Sequence, residues 1–294
     1  LEKLTMQEFE FLRPKTLSEL TGVLAETGGS ILAGGTDIIP KMRHSQFSAS
    51  TLIDVTQIQE LRFIRKQGQL VQIGALITHQ EIAESILLAK FNPALVTAAL
   101  TVGCEQTRNR GTLGGNIANA SPAADTIPPL LVFDADVHLL GFFGKRVIKL
   151  DDFLVSPGKT LMNTGEFITH VSFQPFSDAW GVSFIKLGNR NGMAISIVSG
   201  AACVELDPEG KISNACLCLG SVAPRVVRSL KAEAELIGQH PTREILKRAS
   251  QACLGDISPI NDVRSTAAYR KHSAVVIARR ALEQAVDQAT RRLA

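Results

Sequence analysis

Apolar residues in the first 170 positions alternate between helical and strand rhythms. Behind Thr16, the stretch "PKTLSELTGVLAE" carries leucine and valine at helical spacing. Glu19 follows three residues after the threonine, the pattern of a capping box, and predicts a helix start. Ser30 to Leu32 read as a short strand that runs into the paired glycines of "AGGTD", and "TLIDV" reads as another buried strand. "LRFIRK" and "LVQIGA", separated by "QGQ", predict a hairpin. Thr78 with Glu81 repeats the capping box ahead of a helix near "HQEIAES". "PALVTAALTVG" predicts a helix with proline in its first turn and glycine at its end. From Cys104 to Asp125 the periodicity stops, and "CEQTRNRGTLGGNIANASPAAD" reads as one long irregular segment. Such a segment inside a compact domain is usually functional. "TIPPLLVF" then predicts a short helix and "DADVHLLG" a strand.

Between Gln174 and Ala179 the character of the chain changes. "WGVSFIKLG", "AISIVSGAACVELD" and "KISNACLCLG" read as successive strands with turns at "NRNG" and "DPEG", an antiparallel meander. Three helical stretches follow, the last from about Ser265 onward, with basic residues near its C-terminus as the helix dipole favours. The expected organisation is α+β, with an N-terminal domain over residues 1–175 and a C-terminal α+β domain over residues 176–294.

Composition narrows the function classes. With 294 residues, 45% hydrophobic and 20% charged, the chain has the make-up of a globular protein with a substantial core. A net charge of +3 and an aromatic content of 5% offer neither a basic surface nor a stacking platform, so nucleic acid is not an expected partner. No apolar run is long enough for a membrane span, and no signal peptide opens the chain. Cys104, Cys203, Cys216, Cys218 and Cys253 form an odd, dispersed set without a CxxC pair, which points to a reducing compartment and an expected cytoplasmic location. Alternation in "ACLCLG" favours Cys216 and Cys218 as same-face strand residues over a metal pair. Leu1 to Thr5 precede the first methionine and read as a non-native remnant or an unusual start.

Two glycine pairs carry the candidate chemistry: Gly34-Gly35 in "AGGTD" and Gly114-Gly115 in "GTLGGN". Glycine lets a phosphate approach the main chain, and successive exposed N–H groups form an anion-binding nest. Thr36 and Thr112 add hydroxyls, and Asn116 an amide, so the two loops together suit the phosphates of a dinucleotide. The plainer alternative is that each pair only makes a sharp turn. Asp37 and Asp125 have the alternative of capping helices, and Lys159 and Lys186 that of ordinary surface lysines. No G-x-G-x-x-G follows a strand, and "GKT" at Gly158 to Thr160 lacks the upstream glycine of a P-loop, where Phe153 stands. The six histidines are isolated, without H-E-x-x-H, and read as surface or strand positions; there is no G-x-S-x-G either.

The segments "FEFLRPKTLSEL", "ILAGGTDIIPKM", "LIDVTQIQELRFI", "IGALITHQEI", "VGCEQTRNRGTLGGNIANASPAAD", "GKT", "FIKLGNRNGMAIS" and "LGSVAPRVVRS" occur in this order. Together they resemble the FAD-binding medium subunits of the molybdenum hydroxylases, the xanthine dehydrogenase and carbon monoxide dehydrogenase family. The resemblance covers nearly the whole chain. It implies an FAD-binding domain of the vanillyl-alcohol oxidase type, built of two α+β subdomains (about residues 1–55 and 56–175). A small domain with a three-stranded antiparallel sheet and helices would follow. It also implies that Ile31, Leu32, Ala33, Gly34, Gly35, Thr36, Asp37 and Ile38 wrap the FAD pyrophosphate. Thr112, Leu113, Gly114, Gly115 and Asn116 would form the second loop, supported by Gly103. Asp125 matches a cofactor-contacting aspartate, Lys159 and Lys186 match basic contacts, and Ile168 a backbone or apolar contact. Departures are Cys104 where the family often has serine, and Gly192-Met193 where many relatives have an acidic residue. No cysteine-rich insertion follows the second loop, so the variant with an extra iron–sulfur cluster there is not expected.

By the same resemblance, FAD is bound non-covalently, and molybdopterin and [2Fe–2S] clusters belong to a large and a small partner subunit. Electrons would pass from the clusters to this chain's FAD and on to NAD+ or another acceptor. No residue here is expected to act on the organic substrate. Two rival readings are a self-contained flavin oxidase of the vanillyl-alcohol oxidase superfamily and a flavin-free scaffold subunit. The first lacks a clustered acid–base set in the C-terminal portion, and the second leaves two intact glycine loops without a task.

Overall fold

A computed structural model describes residues 8–176 and 180–293; Leu1 to Thr5 lie outside the described residues. The chain opens with a small parallel sheet. Its central strand Thr51–Asp54 is flanked by Glu10–Leu12 and Ser30–Leu32. Helix Leu17–Thr27 packs on it through Leu20 and Leu24, in a core that includes Ile53, Val55, Ile58 and Leu76. Thr16 caps this helix by accepting from the Glu19 N–H, but the Glu19 carboxylate accepts from Lys15 rather than Thr16, so only half of the expected capping box forms. At Thr78 the full reciprocal box forms with Glu81.

A five-stranded antiparallel sheet follows, in the order Ile64–Gln67, Leu70–Gly74, Phe167–Phe173, Asp136–Gly141, Gly144–Lys149. The first two strands are the hairpin read from "QGQ", with Gly68 at φ +59° supplying the left-handed turn residue. Helix Pro93–Leu100 begins on its proline, as expected. The segment from Cys104 to Asp125 departs from expectation, because it contains helices Glu105–Arg108 and Leu113–Ala118. Both are short, and the second carries two glycines that erase the apolar rhythm by which a helix is recognised.

Strands Trp180–Gly188, Ser196–Leu206 and Ile212–Gly220 form the expected meander. A two-residue strand, Val227–Arg228, extends the sheet to four, where three were expected; so short a strand has no periodicity to read. This sheet is covered on both faces. One face carries the helix Ala267–Leu293, whose alanines 274, 278, 281, 285 and 289 recur every three or four residues and let it lie close. A Cβ on Gly181 would stand 1.8 Å from the Ala285 carbonyl oxygen. The other face packs Val182, Phe184, Cys203, Cys216 and Cys218 into the core that also holds Leu95, Ala98 and Leu130. Cys216 and Cys218 thus share one face of their strand, with sulfurs 3.9 Å apart. No described helix is long and apolar enough to cross a membrane.

Candidate functional site

A cleft of about 550 Å³ opens between the small parallel sheet and the five-stranded sheet, within the roughly 300–1,000 Å³ of cofactor and ligand sites. Its first wall is the turn that ends strand Ser30–Leu32 and opens helix Ile38–Arg43. Gly35 has φ +74°, a conformation that a side chain disfavours. Gly34 is bare for a different reason: a Cβ there would lie 1.9 Å from the Arg110 carbonyl oxygen. The two glycine segments, remote in sequence, touch backbone to backbone at this point. Among the described residues, no acceptor is hydrogen-bonded to the N–H groups of Gly34, Gly35, Thr36, Asp37 or Ile38, and all of these residues line the cleft. The turn therefore presents the row of donors that an anion nest requires.

The second segment behaves differently. Its amides are occupied: Leu113 N–H donates to Ile77, Gly114 N–H to Ala75, Gly115 N–H to the Thr112 hydroxyl and Asn116 N–H to the Thr112 carbonyl. Gly114 is bare because a Cβ would meet the Ala75 Cβ at 2.7 Å. The second segment is thus not a second nest. Thr112, Gly114, Gly115 and Asn116 still line the cleft. Thr126 donates to the Asn116 side-chain oxygen at 2.8 Å, which fixes that amide.

Other expected residues divide into two groups. Ile31, Ala33 and Ile168 line the cleft. Leu32 faces away from it, toward a shallower hollow bordered by Arg43, Asp54 and Arg110. Leu113 is enclosed in the core. Gly103, at φ +49°, lies outside the cleft, where its carbonyl accepts from the Met193 N–H. Lys159 is exposed, one residue beyond the cleft-lining Gly158. Asp125 and Lys186 are paired to each other at 2.6 Å, with Ser196 donating to the second Asp125 oxygen and Lys186 also donating to Thr101. Burial raises the Asp125 pKa, and Lys186 opposes that rise. Neither is an ordinary surface residue, and neither lines the cleft.

Lys41, Asn119 and His79 line the cleft but were not among the residues expected there, whereas Asp37 was. Asp37 stands at the N-cap of its helix but caps nothing; its carboxylate accepts from Asn119, whose side-chain oxygen accepts from Lys41 at 2.6 Å. Among the described residues, Lys41 has no carboxylate partner and leaves a positive charge facing the cleft. Asn119 was findable: it follows Asn116 by three residues, one turn along a helix whose cap is Thr112. The helix residues Leu20 and Leu24 and the segment 162–167 complete the lining. His79, read as a surface or strand histidine, is instead buried at the start of helix His79–Ala83 and lines the cleft.

The fold builds a cleft suited to a phosphate-bearing ligand, and sequence kinship gives the family. The family described as "FAD binding domain in molybdopterin dehydrogenase" matches residues 7–175, and "CO dehydrogenase flavoprotein C-terminal domain" matches residues 183–285. The chain belongs to the family of FAD-binding medium subunits of the molybdenum hydroxylases. It is 30% identical to the carbon monoxide dehydrogenase medium chain of Hydrogenophaga pseudoflava, over 94% of this chain and 96% of that one. It is 29% identical to the nicotinate dehydrogenase FAD-subunit of Eubacterium barkeri, over 96% of this chain and 98% of that one. The solved carbon monoxide dehydrogenase from Hydrogenophaga pseudoflava superposes with a TM-score of 0.92, at 30% identity, covering 97% of this chain and 99% of that one.

Proposed function

We propose that this chain is the electron-transfer flavoprotein subunit of a molybdenum-containing dehydrogenase complex, with FAD held non-covalently in the cleft between the two glycine segments. The row of unpaired amides from Gly34 to Ile38, facing Thr112, Gly115 and Asn116, carries this reading. Those amides receive the pyrophosphate, and the uncompensated Lys41 charge favours the same anion. Asp37, an acceptor, suits a hydroxyl of the ribose or ribityl chain rather than a phosphate. Ile31, Ala33 and Ile168, with Leu20 and Leu24, supply apolar walls. Gly114 lines the cleft, Leu32 and Leu113 back its wall, and Gly103, Asp125, Lys159 and Lys186 act at one remove from it. When bound, FAD supplies the redox chemistry, and the protein supplies its position and surroundings.

On this reading residues 1–175 are the FAD-binding domain, with subdomains of about 1–55 and 56–175, and residues 176–294 the second domain. Relatives that are medium chains match over nearly their whole length, which favours a subunit over a self-contained oxidase. The partners are then a small iron–sulfur subunit that delivers electrons and a large molybdopterin subunit that oxidises the substrate. NAD+ or another acceptor takes the electrons from this chain, in the cytoplasm. Purification of the native assembly tests this directly. Flavin, iron and molybdenum are expected to co-elute with this chain, and the isolated flavin-loaded chain is expected to oxidise neither purine nor aldehyde. Oxidation by the isolated chain would overturn the proposal.

A further inference from the structure

His79 is 3% exposed, yet neither ring nitrogen has a protein partner among the described residues. Nδ1 is sealed in without a hydrogen bond. The opposite edge of the ring faces Gly111, where an added Cβ would lie 3.0 Å from Cδ2 and 3.5 Å from Nε2. Both His79 and Gly111 line the cleft, and Gly111 adjoins Arg110, whose carbonyl touches Gly34. The ring therefore stands where the two glycine segments meet, with its Cδ2–Nε2 edge toward Gly111. A buried imidazole kept only for packing is expected to satisfy its nitrogens within the protein. This one is held in place by other means: the His79 backbone N–H donates to the Gly111 carbonyl, and Thr78 and Glu81 fix the helix start.

We propose that His79 is a ligand of the dinucleotide, donating from Nε2 to a phosphate oxygen beside the Gly34 turn. The proposal rests on the reading of the cleft as an FAD site and adds a side chain to it. Burial first, and then the Arg108 guanidinium, lower the His79 pKa to about 4, so the ring is neutral near neutral pH. Arg108 is itself fixed by Gln80 and by the Leu100 carbonyl. A neutral ring has one proton. Placing it on Nε2 leaves only a lone pair orphaned at Nδ1, which is less costly than a buried N–H without an acceptor. The result is a donor that serves a phosphate without adding charge to an enclosed site.

The test uses the full chain with ¹⁵N-labelled histidine, stripped of flavin and titrated with FAD, ADP or riboflavin. One imidazole Nε2 signal, missing in His79→Gln, is expected to move with FAD and with ADP, which carries the pyrophosphate, but not with riboflavin. FAD affinity measured by flavin fluorescence is expected to fall at least about tenfold in His79→Leu, the scale of one hydrogen bond to a charged group. It is expected to recover most of that loss in His79→Gln, whose amide also offers a donor. Circular dichroism checks that both variants fold; if His79→Leu does not, the imidazole signal and His79→Gln decide alone. A wild-type chain that binds FAD with no change at His79, or a signal that follows riboflavin and ignores ADP, would overturn the proposal. A wild-type chain that binds no FAD would instead overturn the reading of the cleft.

Discussion

Asp125 and Lys186 meet at 2.6 Å across the seam between the FAD-binding part of the chain and the C-terminal sheet, with side chains only 7% and 9% exposed. The aspartate lies on the loop that follows helix Leu113–Ala118, and the lysine on strand Trp180–Gly188. Ser196, on the neighbouring strand, completes the carboxylate's partners. The pair ties the loop after helix Leu113–Ala118 to the second sheet without entering the cleft.

Removing one partner strands the other. Lys186→Met is expected to destabilise the chain by about 3–5 kcal/mol, because it leaves an uncompensated buried carboxylate. Adding Asp125→Asn to that variant is expected to restore a large part of the loss. Urea unfolding of the single and double variants measures both. Equal destabilisation in the two would show that the pair does not behave as a coupled unit.

Lys41 offers its charge to the cleft while bonded only to the neutral Asn119 oxygen. Lys41→Met is expected to weaken FAD binding about tenfold and to reduce its salt dependence, since a charge facing a phosphate is screened by ions. Titrations at low and high ionic strength check this. An unchanged salt response would remove Lys41 from the phosphate's surroundings.

Stability of the flavin-free chain should depend on two histidines. Burial first and then Arg108 bring His79 to about 4. Burial first, and then His138, Arg65 and Lys145, bring His170 to about 4. Both folded values lie below the ordinary value of about 6.5, so the unfolded chain takes up these protons first as pH falls. Their contribution is complete above about pH 6.5 and is lost progressively as pH drops toward about 4. For the enclosed His79 the loss amounts to about 3 kcal/mol. The measurement is unfolding free energy at several pH values in this window, where His79→Gln should show a shallower slope than wild type. Parallel slopes would contradict the assignment.

The two glycines of the first turn should fail differently. Gly34→Ala puts a methyl group into the Arg110 carbonyl and must part the two segments. Gly35→Ala meets no atom closer than 3.2 Å, and its cost is the strain of φ +74°, on the order of 1–2 kcal/mol. FAD affinity is therefore expected to collapse in the first variant and to weaken in the second. The reverse order would contradict the close contact between the segments.

Much of this was legible in the sequence, for physical reasons that can be named. The C-terminal meander was readable because its strands are long and its turns carry Asn-Gly and Pro-Glu-Gly. The helix start at Thr78 was readable from its Glu81 partner. Helix Leu113–Ala118 was not, because the glycines that fit it against Ala75 also remove the apolar spacing. The two glycine pairs looked alike in sequence but serve different ends. One exposes amides, and the other permits close packing, a distinction set by where each N–H finds its acceptor. Lys41 and His79 gave no motif, since their roles depend on segments that approach only in the folded chain, whereas Asn119 had only its spacing from Asn116 to mark it.

The central claim is that the cleft beside Gly34 binds FAD, and the most direct measurement is the flavin content of the purified chain, wild type against Gly34→Ala. The account predicts a single FAD per wild-type chain, released on denaturation because it is not covalently bound. It predicts no flavin in the variant, whose C-terminal sheet remains folded. A wild-type chain that takes up no FAD from excess, or a variant that retains a full complement, would contradict it.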